Sequence, residues 1–69
     1  MERNQEIADR IGKRIAELRK EVGVSQSELA RRSGLGQSHL SRIEAGKYNI
    51  TLDVLNAIAL GLGKQIDFV

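Results

Sequence analysis

Cysteine, proline and tryptophan are absent from this chain of 69 residues, which has one histidine, one tyrosine and one phenylalanine. Each absence removes a class of explanation. Without cysteine there is no disulfide framework and no thiolate zinc site, and a single histidine cannot build a multi-histidine metal centre. The two aromatic rings are too few for a stacking platform of the kind that holds single-stranded nucleic acid. No apolar run approaches the length of about 18 residues that a membrane span needs. The N-terminus holds no signal-peptide core, so a soluble, cytoplasmic chain without a membrane partner is expected. No carboxylate pair, nucleophile with its base, phosphate-cradling glycine loop or metal set stands in reaction geometry. That argues against an enzyme, and no cofactor is expected.

A large charge of one sign is missing as well. The formal net charge is +2 and the isoelectric point is near 9.4. The basic surplus lies in residues 1–32, with eight basic side chains against six acidic, while residues 51–69 carry one basic and two acidic. An imbalance this small says little about a partner. Size says more. A chain of this length forms one domain, residues 1–69, and buries only roughly 60% of its unfolded surface, so its stability is marginal without a metal, a disulfide or a partner. With no thiolate or multi-histidine metal site and no disulfide, an oligomer is the expected supplement.

What the sequence does contain is helical periodicity punctuated by glycine. Ile7, Ile11, Ile15, Leu18 and Val22 follow one another at intervals of four, four, three and four, which places them in one stripe about 80° wide. Gly23 supplies the stop. Ser25-Gln26-Ser27-Glu28 reads as a capping box that opens a second helix. This helix ends at Gly34 and turns Gln26, Leu29, Ala30 and Ser33 inward. An inward alanine on so short a helix implies close approach of another helix backbone. Leu35 then enters the core, Gly36 stands at an N-cap, and a third helix over 37–45 is closed by Gly46. Helical geometry places Gln37, Ser41, Ala45, Ser38 and Arg42 within an arc of about 140°, with Leu40 and Ile43 on the other side. The third helix therefore shows one polar face.

Thr51 is the expected N-cap of a fourth helix, with Leu52, Leu55, Ile58, Ala59 and Leu62 inward and Leu60 pointing away from the core. Gly12 joins Ala8 and Ala16 in a strip of small side chains on which another segment is expected to pack, the C-terminal segment being one candidate. In "KQIDFV", Ile66 and Phe68 alternate with Gln65 and Asp67, a strand signal. A lone strand cannot satisfy its own backbone groups. Pairing across a two-fold axis would bury Ile66 and Phe68 and give Leu60 a partner. A frayed tail, or a short fifth helix capping the chain's own core, are the alternatives. The fold class predicted is all-α: a compact bundle of four to five helices containing a helix-turn-helix, with a short C-terminal β-strand paired across a homodimer.

The stretch "SQSELARRSGLGQSHLSRIEAGKYNITLDVLNAIALGLG" (25–63), preceded by "IAELRKEVGV", resembles the Cro/repressor-type, or xenobiotic-response-element (XRE), helix-turn-helix domain of the lambda-repressor-like fold. The likeness covers most of the chain. It includes the glutamine opening the second helix, the inward alanine, the turn glycine and the "SRIEAGK" that ends the third helix. The resemblance implies a sequence-specific, double-stranded DNA-binding transcription regulator that acts as a homodimer on a near-palindromic operator. It places the third helix in the major groove with Gln37, Ser38, Ser41 and Arg42 toward base edges. Gln26 would touch a phosphate and brace Gln37, and Lys47, Tyr48 and Asn49 would grip the DNA backbone beyond the groove. Arg19 and Glu44 match a buried ion pair.

The chemistry of these residues agrees with the resemblance. Glutamine offers a donor and an acceptor together to adenine N6 and N7, and arginine forks onto guanine O6 and N7. His39, beside Ile43, either reaches a phosphate or packs half-buried. Arg31 and Arg32 read as solvating charges. Two positions depart from the family pattern. Gly36 stands where the family usually has serine or threonine, which removes one possible phosphate contact. The ending "GKQIDFV" is more similar to strand-ended members that include antitoxins. A second reading is therefore an antitoxin that binds a toxin protein and autoregulates its operon.

Overall fold

Glycine and hydroxyl side chains set the helix ends in the computed structural model, which describes residues 3–67. The helices are α1 (Arg3–Val22), α2 (Gln26–Ser33), α3 (Gln37–Glu44) and α4 (Leu52–Gly61). The Ser25 hydroxyl accepts the Glu28 amide at the start of α2, and Thr51 accepts the Val54 amide at the start of α4. Only half of the predicted capping box forms, because the Glu28 carboxylate turns instead to Arg31 and Arg32. Gly34 adopts φ 70°, and the Leu35 amide returns to the Ala30 carbonyl at 2.8 Å. A side chain at that left-handed position would be strained, so glycine fixes the tight turn between α2 and α3.

The core is built from Ile15, Leu29, Ala30, Leu40, Ile43, Ile58 and Leu62, with Ile11, Leu18, Leu35, Tyr48, Val54 and Leu55 packed around them. Helix α2 lies centrally against α3 and α4, and α1 packs on α3. The approach of α1 to α3 requires Gly12. A Cβ there would collide with the Ile43 carbonyl oxygen and lie 2.8 Å from that of Glu44. At Gly12 the strip of small side chains on α1 thus receives the end of α3 rather than the C-terminal segment. Gly61 plays the same part between α4 and α2, where a Cβ would lie 2.8 Å from Ser33 Oγ.

Three expectations are corrected. Ile7 and Val22, at the ends of the α1 stripe, are exposed. At 1.5 Å per residue α1 runs about 30 Å, well beyond the two-turn α3 it packs on. Leu52, expected inward, is 77% exposed; it is the first residue of α4 and lies at the end away from the core. The strand expected over 64–69 is not formed in its described part, residues 64–67, and no fifth helix forms there. Gly63, at φ 72°, and the Lys64 amide bonded to the Ala59 carbonyl close α4. Ile66 then borders an apolar groove between α1 and α4, lined by Ile11, Ile15, Leu18, Leu55 and Leu62. Among the described residues no second strand lies beside this segment, so its backbone has no ladder to join. Phe68 lies outside the described residues. Leu60 points outward as expected, 65% exposed. Among the described residues no helix is long and apolar enough to cross a membrane.

Candidate nucleic-acid interface

Helix α3 is anchored by two side chains and presents the rest. Leu40 is fully buried and Ile43 nearly so, while Gln37, Ser38, Ser41 and Arg42 are all exposed, as their helical spacing requires. The polar face is therefore one continuous outward surface. Arg42 and, just beyond the helix, Lys47 are exposed and form no ion pair among the described residues. The only carboxylate on α3 is turned inward. This face thus carries uncompensated positive charge and short polar groups, which suits a polyanion.

That inward carboxylate, Glu44, ties three parts of the chain together. Its Oε2 accepts Arg19 Nε at 2.8 Å, and its Oε1 accepts Arg19 Nη2 at 3.2 Å and Gln26 Nε2 at 2.9 Å. Arg19 also donates to the Val24 carbonyl at 3.0 Å. The two charged side chains are only 13% and 7% exposed. The fork geometry satisfies the carboxylate with charge-assisted bonds, so α1, α2 and α3 are held in one register. The predicted ion pair is present, and Gln26 belongs to it.

Gln26 does not brace Gln37. Its amino group is bonded to Glu44, and the side chain that meets Gln37 is Ser27, whose hydroxyl donates to Gln37 Oε1 at 2.7 Å. Sequence reasoning missed Ser27. The contact depends on how α2 crosses α3, which spacing along the chain does not encode.

Beyond α3 the loop is held from two sides. The His39 ring meets Tyr48 edge-on at 4.5 Å, and both pack partly into the protein. His39 Nε2 is buried without a partner, which leaves only Nδ1 for any outside contact. From the other side, Gln5 Nε2 donates to the Gly46 carbonyl at 2.9 Å and to Asp9 Oδ1 at 3.0 Å. Gly46, at φ 75°, lies so close to Asp9 that a Cβ would collide with its carboxylate. Sequence reasoning did not find this tie either. Lys47 remains exposed, whereas Asn49 sits at the mouth of a second groove with Asn4, Ile7 and Leu52.

Three arginines of α1 and α2 are paired on the surface. Arg31 and Arg32 converge on Glu28, and their hydrogen bonds hold its carboxyl at about 2, well below the usual carboxylate value. The same pairing raises Arg31 further. Arg14 pairs with Glu17 at 3.1 Å in an exposed i,i+3 contact. These charges are local surface partners, in contrast to Arg42 and Lys47.

The helix-turn-helix family model matches residues 15–69. The chain belongs to the XRE-type helix-turn-helix family of DNA-binding transcription regulators. Among solved structures it is similar to the restriction-modification controller protein C.AhdI of Aeromonas hydrophila, at 34% identity and a TM-score of 0.82, covering 84% of this chain and 88% of that one. The clp gene regulator ClgR of C. glutamicum gives 25% identity and a TM-score of 0.83, over 86% and 76%. A point mutant of the controller protein C.Esp1396I gives 31% identity and a TM-score of 0.81, over 84% and 77%. Comparison with curated protein sequences returns no match. In this XRE-type chain, α2, the Gly34–Gly36 turn and α3 form the helix-turn-helix. Its second helix carries the exposed polar face.

Proposed function

We propose that this chain is a sequence-specific regulator that binds double-stranded DNA as a homodimer, with α3 in the major groove. The observation that carries the reading is the division of α3 into a buried side, Leu40 and Ile43, and a fully exposed polar side. Gln37, Ser38, Ser41 and Arg42 are the base readers. Lys47 and the loop residues Tyr48 and Asn49 meet phosphates on the far side of the groove, with Tyr48 held by His39. Gln26 keeps one amide N–H beyond its bond to Glu44, and that N–H is the donor for a phosphate. His39 serves as a packing residue.

Dimerisation uses the outer side of α4 and the segment that follows it. Leu60 is the most exposed large apolar residue of the last two turns of α4, and Ile66 stands beside the groove between α1 and α4. A two-fold contact there covers both and leaves α3 free. Two recognition helices about 34 Å apart would then enter successive major grooves of a near-palindrome. The antitoxin reading rested on a strand at 64–69. With no strand over 64–67, no observation on this chain favours it.

Selection from randomised duplex DNA, followed by footprinting, tests the proposal. Two inverted half-sites about one helical turn apart are expected. Protection of one asymmetric half-site would overturn the dimeric arrangement, and enrichment of no sequence would overturn base reading altogether.

A further inference from the structure

We propose that Gln5 is a positioning residue for DNA binding: from the first turn of α1 it clamps the peptide that leads into Lys47, and so presets the loop of residues 46–49 for the phosphates. The inference rests on the placement of α3 and Lys47 against DNA given above. Gln5 acts through the loop rather than on the DNA. Gln5 and Asp9 both precede residues 15–69, the stretch that the family model matches, so the clamp is built from a part of α1 that the match does not include.

The orientation of the Gln5 amide is fixed by what surrounds it. The Gly46 carbonyl and Asp9 Oδ1 are both acceptors, and Nε2 has one N–H for each, at 2.9 and 3.0 Å. Turned over, the amide would set its own oxygen against a carbonyl and a carboxylate. Asp9, four residues on and on the same face of α1, therefore orients Gln5, and Gln5 holds the loop. The loop comes this close because residue 46 is glycine, whose φ is 75° and whose missing Cβ would collide with Asp9.

The bond lands on one particular peptide group. The Gly46 carbonyl and the Lys47 amide belong to the same planar unit. Its N–H donates to the Arg42 carbonyl of α3 at 2.9 Å, and its C=O accepts from Gln5 of α1. With both ends held, the Cα of Lys47 has a set place relative to α3. Beyond this point α1 and the loop part, with Asn49 and Ile50 facing Asn4, Ile7 and Ile11 across an open groove. Among the described residues no other hydrogen bond joins the first half of α1 to the loop. Glycine has the widest backbone freedom, so without Gln5 the free chain spreads over more loop conformations and the fraction ready for phosphates falls.

The test is duplex binding by the full chain and the variants Gln5→Met, Lys47→Ala, Arg42→Ala and Gln5→Met with Lys47→Ala. Each is measured on the selected operator and on an unrelated duplex over a range of salt, and each is melted. Methionine is close to glutamine in length and helix propensity and equally uncharged, but donates nothing. Gln5→Met is expected to weaken both duplexes by about 3- to 10-fold, the worth of one hydrogen bond. Salt slope and base preference should not change, because the same phosphate contacts form from a less ready loop. In the Lys47→Ala background the same substitution should cost less, since the two residues act together. A lower melting temperature with unchanged affinity of the folded chain would reduce Gln5 to a structural role. A salt slope smaller by about one would make it a direct phosphate contact, and full additivity with Lys47→Ala would uncouple the two. Each of these results overturns the proposal. If Arg42→Ala and Lys47→Ala both bind as wild type does, the DNA-binding face is itself wrong and the proposal falls with it. If both weaken binding and Gln5→Met does not, only the role of Gln5 is lost.

Discussion

Helices α3 and α4 are close in length, eight and ten residues, and both sit against the central α2. They spend their outer surfaces differently. Outside α3 the chain places amide, hydroxyl and guanidinium groups, and the helix is locked from behind by the Arg19–Glu44–Gln26 network. Outside α4 it leaves Leu52 and Leu60 largely exposed, with no comparable polar lock. A small domain cannot hide every apolar residue, so an exposed leucine alone means little. Two exposed leucines on one short helix, against none on its neighbour, distinguish a partly apolar outer surface from a wholly polar one.

Breaking the lock behind α3 should have the largest effect. Glu44→Ala leaves the Arg19 guanidinium and the Gln26 amide without this acceptor in a largely buried site, and a loss of about 3 kcal/mol is expected in urea or thermal unfolding. Next comes Gly12→Ala. Alanine gains about 1 kcal/mol of helix propensity over glycine. However, its Cβ meets two backbone oxygens of α3 that cannot turn aside, so a net loss of about 1–2 kcal/mol is expected. A neutral or stabilising result would show that α1 and α3 slide apart easily. Leu60→Lys probes the other side of the comparison. It should leave the melting temperature of the folded chain nearly unchanged while shifting sedimentation from dimer to monomer, and an unchanged dimer would move the interface elsewhere.

The smallest effect concerns pH. Glu28 is held at about 2 by its bonds to Arg31 and Arg32, against 4.5 for an unperturbed glutamate. A carboxyl depressed in the folded state stabilises above its unfolded value, and that contribution fades as pH falls from about 4.5 toward 2. The group is solvent-facing, so the effect is small. Glu28→Gln should melt slightly lower than wild type at pH 7 and converge with it near pH 2.

Much of the fold was legible because helix ends are decided locally. Ser25, Thr51, Gly23 and Gly34 stop and start helices through bonds and dihedral angles within a few residues of themselves, and all four act as expected. The polar face of α3 was legible for the same reason, since 100° per residue fixes which side chains share a side. Periodicity does not say what stands opposite a face. Leu52 belongs to the inward stripe of α4 by angle, yet it borders an open groove beside Ile7 of α1 and stays largely exposed. Gly12 announced a close approach without naming the partner, and no spacing singled out Ser27. Its bond to Gln37 exists only once Gly34 has set the angle between α2 and α3. The tail could not be read from one chain, because a strand is a property of a pair.

The central claim is that the exposed face of α3 reads bases while the loop behind it holds the backbone. The most direct measurement compares Arg42→Ala with Lys47→Ala in binding to the selected operator and to all single-base variants, over a range of salt. Arg42→Ala is expected to abolish discrimination at one base position, worth about 1–3 kcal/mol there. Lys47→Ala should weaken every duplex alike and reduce the salt slope by about one while leaving base preference intact. If the two variants behave alike, the division of labour between α3 and the loop is wrong.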